Sequence, residues 1–262
     1  MARFYPLFSS SSGNCSFVGD ERGGVLIDAG MNCKRITEAL QYNGIDPEAV
    51  KAVFVTHTHS DHISGLRVFV KKYKCTVYAQ EANIRELRLT GKLEPSAVTV
   101  PLEKGPADLG NVCISHFNTS HDCPASCGFV IDYDDGKRAA SCTDLGIVTD
   151  EVRKAILGCD MVLLESNYDP DMLRHGPYPY QIIQRISSSV GHLSNGDCSE
   201  MLGELIESGT RRFVLGHISR QNNLPRLVKE SALRGLSSFE ENYDYRLDIA
   251  APENYTARAV IF

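Results

Sequence analysis

Four side chains that can bind metals fall within six positions of the chain: His57, His59, Asp61 and His62. They directly follow the apolar run 53–55. Imidazole and carboxylate groups are ligands that suit zinc and its neighbouring divalent metals. Along an extended segment the two alternating histidines point the same way, whereas Asp61 and His62 begin a helical pattern and could serve a second metal. The alternative interpretation is a polar turn after a buried strand.

Two metals need more ligands than this cluster provides, and three further residues each follow a predicted strand: His121, Asp144 and His217. Loops that leave strands are common positions for the residues of a functional site, because the sheet holds them rigidly. Any one of the three alone would more often be an ordinary surface or core residue. Together with the histidine cluster, they predict a site for two metals.

The composition indicates a globular protein and excludes several classes. The 262 residues are 42% hydrophobic and 23% charged, which is ordinary for a soluble protein. We expect no membrane span and no secretory signal. The nine dispersed cysteines predict free thiols in a reducing cytoplasm. A net charge of −6 predicts no general affinity for nucleic acid, although a metal pair would attract an anionic substrate locally.

Strands are predicted in two sets, with helices between and after them, which indicates two sheets covered by outer helices. We therefore expect a single domain over residues 1–262. The local predictions include a polar turn over residues 9–14, a helix over residues 61–67, a hairpin turn at residues 134–136 and a closing strand over residues 257–262.

The order of the predicted ligands resembles that of the metallo-β-lactamase superfamily. The resemblance implies an α/β fold, the four-layer αβ/βα sandwich, with a binuclear metal site between its two sheets. It also implies the ligand sets: His57, His59 and His121 for one metal, Asp61, His62 and His217 for the other, and Asp144 as the bridge. Zinc is the first expectation for these ligands, with manganese and iron as alternatives.

An acid and a histidine later in the chain narrow the branch of the superfamily. Glu165 ends an apolar strand, and His192 precedes a helical run. In the phosphodiesterase branch that includes tRNase Z, a similar pair forms a relay in which the acid orients the histidine, and the histidine protonates the leaving alkoxide. A strand-end glutamate with a helix-capping histidine is the alternative. Segments around both residues resemble the bacterial YycJ/WalJ subfamily of DNA exonucleases, except that Tyr168 stands where histidine is expected.

The resemblance implies a metal-dependent phosphodiesterase that degrades DNA, in preference to RNA, from 5′ to 3′. Metal-bound hydroxide would be the nucleophile, assisted by Asp61, with His192 as the general acid. A lactonase or glyoxalase-like thioesterase is one alternative, and a non-catalytic metal-binding regulatory protein is another. Several residues could contact substrate phosphates, although each could equally serve hydrogen bonding within a turn. These are Ser12, Asn14, Ser194, Asn195, Ser219 and Arg220.

Overall fold

A computed structural model describes residues 1–256 and 259–262. In chain order, the strands are β1 (Arg3–Ser10), β2 (Gly13–Asp20), β3 (Gly23–Ile27), β4 (Val50–Phe54), β5 (Thr76–Ala79), β6 (Thr99–Pro101), β7 (Ala107–Asp108), β8 (Val112–Asn118), β9 (Cys127–Tyr133), β10 (Arg138–Cys142), β11 (Met161–Glu165), β12 (Arg212–Gly216), β13 (Arg246–Ile249) and β14 (Val260–Ile261). Within the described residues they form two seven-stranded sheets, ordered β14-β1-β2-β3-β4-β5-β6 and β13-β12-β11-β10-β9-β8-β7.

Most of the helices cover the outer faces of the two sheets. They are α1 (Cys33–Tyr42), α2 (Ser60–Ile63), α3 (Leu66–Tyr73), α4 (Glu81–Leu89), α5 (Asp150–Ile156), α6 (Pro170–His175), α7 (Tyr180–Ile186), α8 (Asn195–Glu207) and α9 (Pro225–Gly235), with short 3₁₀ turns at Pro47–Ala49 and Leu102–Lys104. None of the helices in the described ranges is long and apolar enough to cross a membrane.

Three apolar cores separate four layers, as predicted. Phe54 of the first sheet and Phe129 of the second meet between the sheets. Side chains such as Phe69 of α3 pack against the outer face of the first sheet. Leu202 of α8 does the same on the second sheet. Because each sheet buries both of its faces, the architecture is the αβ/βα sandwich.

Parallel strand pairing gathers the ends of several strands at one edge of each sheet. Strands β3 to β6 run parallel to one another in the first sheet, and β10 to β13 do so in the second. In sheets of this kind, ligands bind beyond the carboxyl ends of the strands. The residues that directly follow β3, β4, β10, β11 and β12 therefore approach one another from both sheets.

The predicted helix over residues 61–67 is wrong, since two helices, α2 and α3, occupy this region. The helical segment is interrupted at Gly65, whose amide donates to the Ala29 carbonyl at 2.9 Å. A Cβ at Gly65 would lie 1.9 Å from the carbonyl oxygen of Met31, so only glycine permits this approach. The contact packs the loop after β3 against the segment that contains Asp61 and His62.

Of the other local predictions, one turn is confirmed and one turn is shorter than predicted. The hairpin turn at residues 134–136 is confirmed, because the Tyr133 amide donates to the Lys137 carbonyl at 2.8 Å between β9 and β10. The predicted turn over residues 9–14 is too long, since β1 continues to Ser10 and β2 begins at Gly13. Of the predicted closing strand, residues 257–258 lie outside the described residues, and only Val260–Ile261 of the described part forms a strand, β14.

Candidate metal centre

Three histidine nitrogens converge where the first ligand set is predicted. His59 Nδ1 lies 3.0 Å from His57 Nε2 and 3.2 Å from His121 Nε2. Tetrahedral zinc with Zn–N bonds near 2.1 Å places its ligand nitrogens roughly 3.4 Å apart. The spacing therefore suits three ligands around one small cation. His57 follows β4 and His121 follows β8, so both sheets contribute.

The second predicted set lies beside the first. Asp61 Oδ2 is 3.4 Å from His62 Nε2 and 3.7 Å from His217 Nε2. Asp144 lies between the sets, with Oδ2 at 3.3 Å from His62 Nε2 and Oδ1 at 3.8 Å from His121 Nε2. Within each set, the candidate ligand atoms lie within 4.8 Å of one another.

The second ring nitrogen of four of these histidines is already hydrogen-bonded. Such outer contacts fix the orientation and tautomer of metal-binding histidines, leaving the other nitrogen free to coordinate. In each case Nδ1 makes the outer contact and Nε2 faces the centre. The contacts are His57 to Thr56 Oγ1 at 3.0 Å, His62 to Asp28 Oδ2 at 2.7 Å, His121 to the Gly191 carbonyl at 3.0 Å and His217 to Glu165 Oε1 at 2.6 Å.

Unpartnered atoms and a strained backbone also mark the centre. Among the described residues, Asp144 Oδ2 and His217 Nε2 are buried without a hydrogen-bond partner. Buried polar atoms without partners are rare, and here divalent metals would satisfy them. Asp28, Asp144 and His217 have φ angles of 60°, 58° and 52°, a left-handed conformation that is unfavourable outside glycine. Such strain concentrates at functional sites. The donor set and its geometry thus fit a pair of divalent cations.

Glu165 and His192 are in direct contact, as expected for a relay. His192 Nδ1 lies 2.9 Å from Glu165 Oε1. The amides of Leu145 and Leu193 both donate to Glu165 Oε2 at 3.1 Å. The His192 side chain is 20% exposed, and its ring centroid lies 5.1 Å from that of His121. His192 therefore lies, partly exposed, at the edge of the candidate centre.

Comparison with known proteins identifies the family of this chain. A family model described as "Beta-lactamase superfamily domain" matches residues 24–218. The chain belongs to the metallo-β-lactamase superfamily. It is 32% identical over 256 residues to exodeoxyribonuclease WalJ of Streptococcus pneumoniae serotype 2, covering 95% of this chain and 94% of that one. Exodeoxyribonuclease YycJ of Bacillus anthracis is 33% identical over 229 residues, covering 87% and 86%.

A solved structure supports the superfamily fold independently. The metallo-β-lactamase fold protein YhfI of Bacillus subtilis superposes with a TM-score of 0.73 over 97% of this chain and 98% of its own. Its sequence is only 16% identical to this chain, so the likeness concerns the fold. The four-layer architecture predicted from the ligand order is confirmed.

Electrostatics divide this superfamily centre into unlike halves. Burial and the neighbouring charge of His62 hold the pKa of His57 well below its usual value. Burial also lowers the pKa of His62, but Asp144, Asp28 and Asp61 more than offset it and hold that pKa well above its usual value. His217 behaves like His62: burial lowers its pKa, but Asp144, Asp61 and Glu165 outweigh burial and raise the pKa to about 10. Carboxylates thus dominate the second half.

Glu165 remains a carboxylate despite complete burial. Burial alone would raise its pKa, but the charges and hydrogen bonds of His192 and His217 outweigh burial and lower the pKa to about 2. Hydrogen bonds and nearby positive charge favour the ionised form of a carboxyl group. An ionised Glu165 can therefore accept hydrogen bonds from both histidines through the same oxygen, Oε1.

Sequence reasoning missed three features of this site. Asp28 and Thr56 were not identified, although Asp28 holds His62 and Thr56 donates to Asp28 at 2.8 Å. A signal was present for Asp28, because an aspartate ends the apolar strand β3 and directly precedes Ala29 and Gly30. The third feature is the double role of Glu165, which orients a predicted metal ligand as well as His192.

The predicted phosphate contacts lie in varied surroundings. Asn14 is at the centre, where its Nδ2 donates to Asp61 Oδ2 at 3.1 Å and lies 3.0 Å from His62 Nε2. Ser12 and Arg220 are exposed. The other three residues already have structural hydrogen bonds, so phosphate contacts there stay predictions. Ser194 caps α8, Asn195 belongs to a buried network and Ser219 accepts from the Asn222 amide at 3.1 Å.

Proposed function

We propose that this protein is a binuclear metal-dependent phosphodiesterase that acts as a DNA exonuclease. The observation that carries the proposal is the contact between Glu165 and His192 at the edge of a two-part metal centre. Cleavage of a phosphodiester produces an alkoxide that needs a proton, and His192 is placed to donate one. Two relatives that align along most of the chain are named exodeoxyribonucleases.

In this proposal, two divalent metals occupy the centre. Zinc is the first candidate, and manganese and iron suit the same donors. When bound, the cations would lower the pKa of water and neutralise charge on the phosphate. One cation would be held by His57, His59 and His121, the other by Asp61, His62 and His217, with Asp144 shared between them.

The protein side chains would divide the work of proton transfer. Asp61 is partly exposed, and burial raises its pKa while His62 and His217 lower it, so that the net pKa lies far below the usual value. Its carboxylate is thus ionised and can orient an attacking water. His192 would donate its proton from Nε2 to the leaving oxygen. Glu165 would hold the His192 ring in place and stabilise its charged form.

The proposal extends to polarity, organisation and location. We propose DNA as the substrate in preference to RNA, in line with the names of the two relatives, and degradation from 5′ to 3′, as the resemblance to their subfamily implies. We also propose that residues 1–262 form one domain, because β14 pairs with β1 near the start of the chain. All nine cysteines are free, which supports a reducing cytoplasmic location.

The test compares substrates on the metal-loaded protein. End-labelled single- and double-stranded DNA and RNA are incubated with zinc or manganese, alongside a lactone and a thioester. The proposal expects stepwise loss of nucleotides from the 5′ end of DNA, abolished by chelation. Turnover of the lactone or thioester with intact nucleic acid would contradict it, as would metal binding without any turnover. Asp144→Ala provides the control for contaminating nucleases.

A further inference from the structure

A buried network of amide and hydroxyl side chains lies beneath the loops that carry Glu165, His192 and His217. Its members are Ser166, which follows β11, Asn195, which begins α8, and Asn223, in the loop after β12. All three are almost completely buried, at 1%, 3% and 2% exposure. The network thus joins the three loops that carry Glu165, His192 and His217 a second time, beneath their contacts at the Glu165 carboxylate.

The hydrogen bonds of the network are reciprocal. Asn195 Oδ1 accepts from Ser166 Oγ at 2.7 Å and from Asn223 Nδ2 at 2.8 Å. Asn195 Nδ2 donates in return to Asn223 Oδ1 at 3.0 Å. Asn223 Nδ2 also lies 3.0 Å from the carbonyls of Ser166 and Asn167. Satisfied polar networks of this kind restrict a buried region to a single arrangement.

The loop that carries His217 has further anchors of its own. The His217 amide donates to Ser9 Oγ at 2.8 Å, and its carbonyl accepts from Asn167 Nδ2 at 2.7 Å. The loop that carries His192 is joined to the loop after β11 by backbone contacts, in which the Leu193 carbonyl accepts from the Asn167 amide and the Asn195 amide donates to the Tyr168 carbonyl, both at 2.9 Å. The Leu193 amide also donates to Glu165 Oε2 at 3.1 Å. Asn195 lies three residues from His192, whereas Asn223 lies six residues from His217, so loss of the Asn195–Asn223 contact should displace His192 more than His217.

We propose that Ser166, Asn195 and Asn223 are positioning residues that align the His192 acid with the metal centre. The inference rests on the proposed function, because it concerns the proton that a leaving alkoxide needs. A displacement of about 1 Å at a reacting group can cost on the order of 100-fold in rate. The network would act on the acid step while leaving the metal ligands in place.

Two phosphodiesters separate this role from a general structural one. The leaving group in DNA cleavage is a sugar alkoxide, and its departure depends strongly on protonation by an acid. The leaving group of bis(p-nitrophenyl) phosphate is the stable p-nitrophenolate, which departs without that proton. For Asn223→Ala we expect kcat on DNA to fall on the order of 10- to 100-fold. We expect a much smaller loss on the nitrophenyl ester, little change in KM and an unchanged metal content.

The neighbouring residue provides a matched control. Asn222 is 1% exposed, yet neither polar atom of its side chain has a hydrogen-bond partner among the described residues. Asn222→Ala removes the same amide from the same loop and should lower neither activity on DNA nor that on the ester. Ser166→Ala removes one network hydrogen bond and should reproduce the DNA-selective loss more weakly.

The outcomes distinguish the inference from the function beneath it. If the wild-type protein cleaves neither substrate, the proposed phosphodiesterase activity fails. If it cleaves both and Asn223→Ala lowers both equally or neither, the positioning role alone is wrong. If Asn223→Ala does not fold, Ser166→Ala decides, since an equal loss on both substrates or no loss would overturn the inference.

Discussion

Around the first ligand set, the histidines donate to uncharged oxygens: His57 contacts the Thr56 hydroxyl, and His121 contacts a backbone carbonyl. Around the second set, His62 and His217 donate to carboxylates. A carboxylate partner makes an imidazole a more basic and more firmly oriented ligand. The two halves of the candidate centre therefore differ most in the groups that hold their predicted ligands in place.

Backbone strain separates the halves in the same way. Asp28 and His217, which belong to the second half, and the shared Asp144 all have left-handed backbones. The ligands of the first half are not among the residues with positive φ in the described chain. His57 and His59 of the first half come from one short, regular segment, which His121 joins from the other sheet, whereas the second half depends on supporting contacts between residues far apart in the chain. Variants at four places test this difference.

Asp144→Ala should have the largest effect, because Asp144 is the one predicted ligand that both halves share. We expect fewer than two metals per chain by elemental analysis and a loss of DNA cleavage on the order of 1,000-fold. Two metals retained per chain would show that the halves do not depend on a common carboxylate.

His192→Ala should rank second, because His192 belongs to neither ligand set. DNA cleavage should slow on the order of 100-fold or more, while the metal content stays unchanged. The measurement pairs single-turnover kinetics with elemental analysis. Unchanged turnover, or loss of metal, would refute its assignment as the general acid.

Asp28→Asn should weaken one metal more than the other. Loss of an outer carboxylate typically costs 10- to 100-fold in metal affinity, and Asp28 contacts His62 of the second half directly but reaches His57 of the first half only through the Thr56 hydroxyl. Competition with a chelator should show one of two dissociation constants rising much more than the other. Asp20→Asn, at another buried aspartate paired with Arg22, is the control and should change neither. Equal weakening of both metals would remove the distinction between the halves.

Arg220→Ala should have the smallest effect, on substrate binding alone. Arg220 is exposed three residues beyond His217, in the second half, whereas Arg185 is paired with Asp122 beside His121. For Arg220→Ala, KM on DNA should rise several-fold. The slope of the logarithm of the binding constant against the logarithm of the salt concentration should decrease by about one unit. Arg185→Ala, the comparison, should leave the slope unchanged. The opposite pattern would place the phosphate path over the first half.

The sequence predicts the His57 and His59 part of the first half well because its information is local. His57 and His59 follow a short apolar strand, and the strand itself sets their common direction. The four-layer fold was also predictable, since the order of the ligands along the chain matches that of the superfamily. Both predictions needed only residues that lie close together or in a recognisable order.

The supporting contacts could not be predicted in the same way. Asp28 and His62 are 34 positions apart, and Glu165 and His217 are 52 positions apart, so their contacts depend on which strands become neighbours within each sheet. The helix break at Gly65 is similar, because it arises from the backbone of Met31 approaching from another loop. Residue type alone does not reveal which partner tertiary packing will provide.

The most direct test of a two-part centre is the cleavage of 5′-end-labelled DNA as metal is added stepwise to metal-free protein. We predict no cleavage in chelator, and activity that reaches its maximum only at two equivalents of metal per chain, with the label released in the smallest products first. Full activity at one equivalent, or cleavage that persists in chelator, would contradict the account.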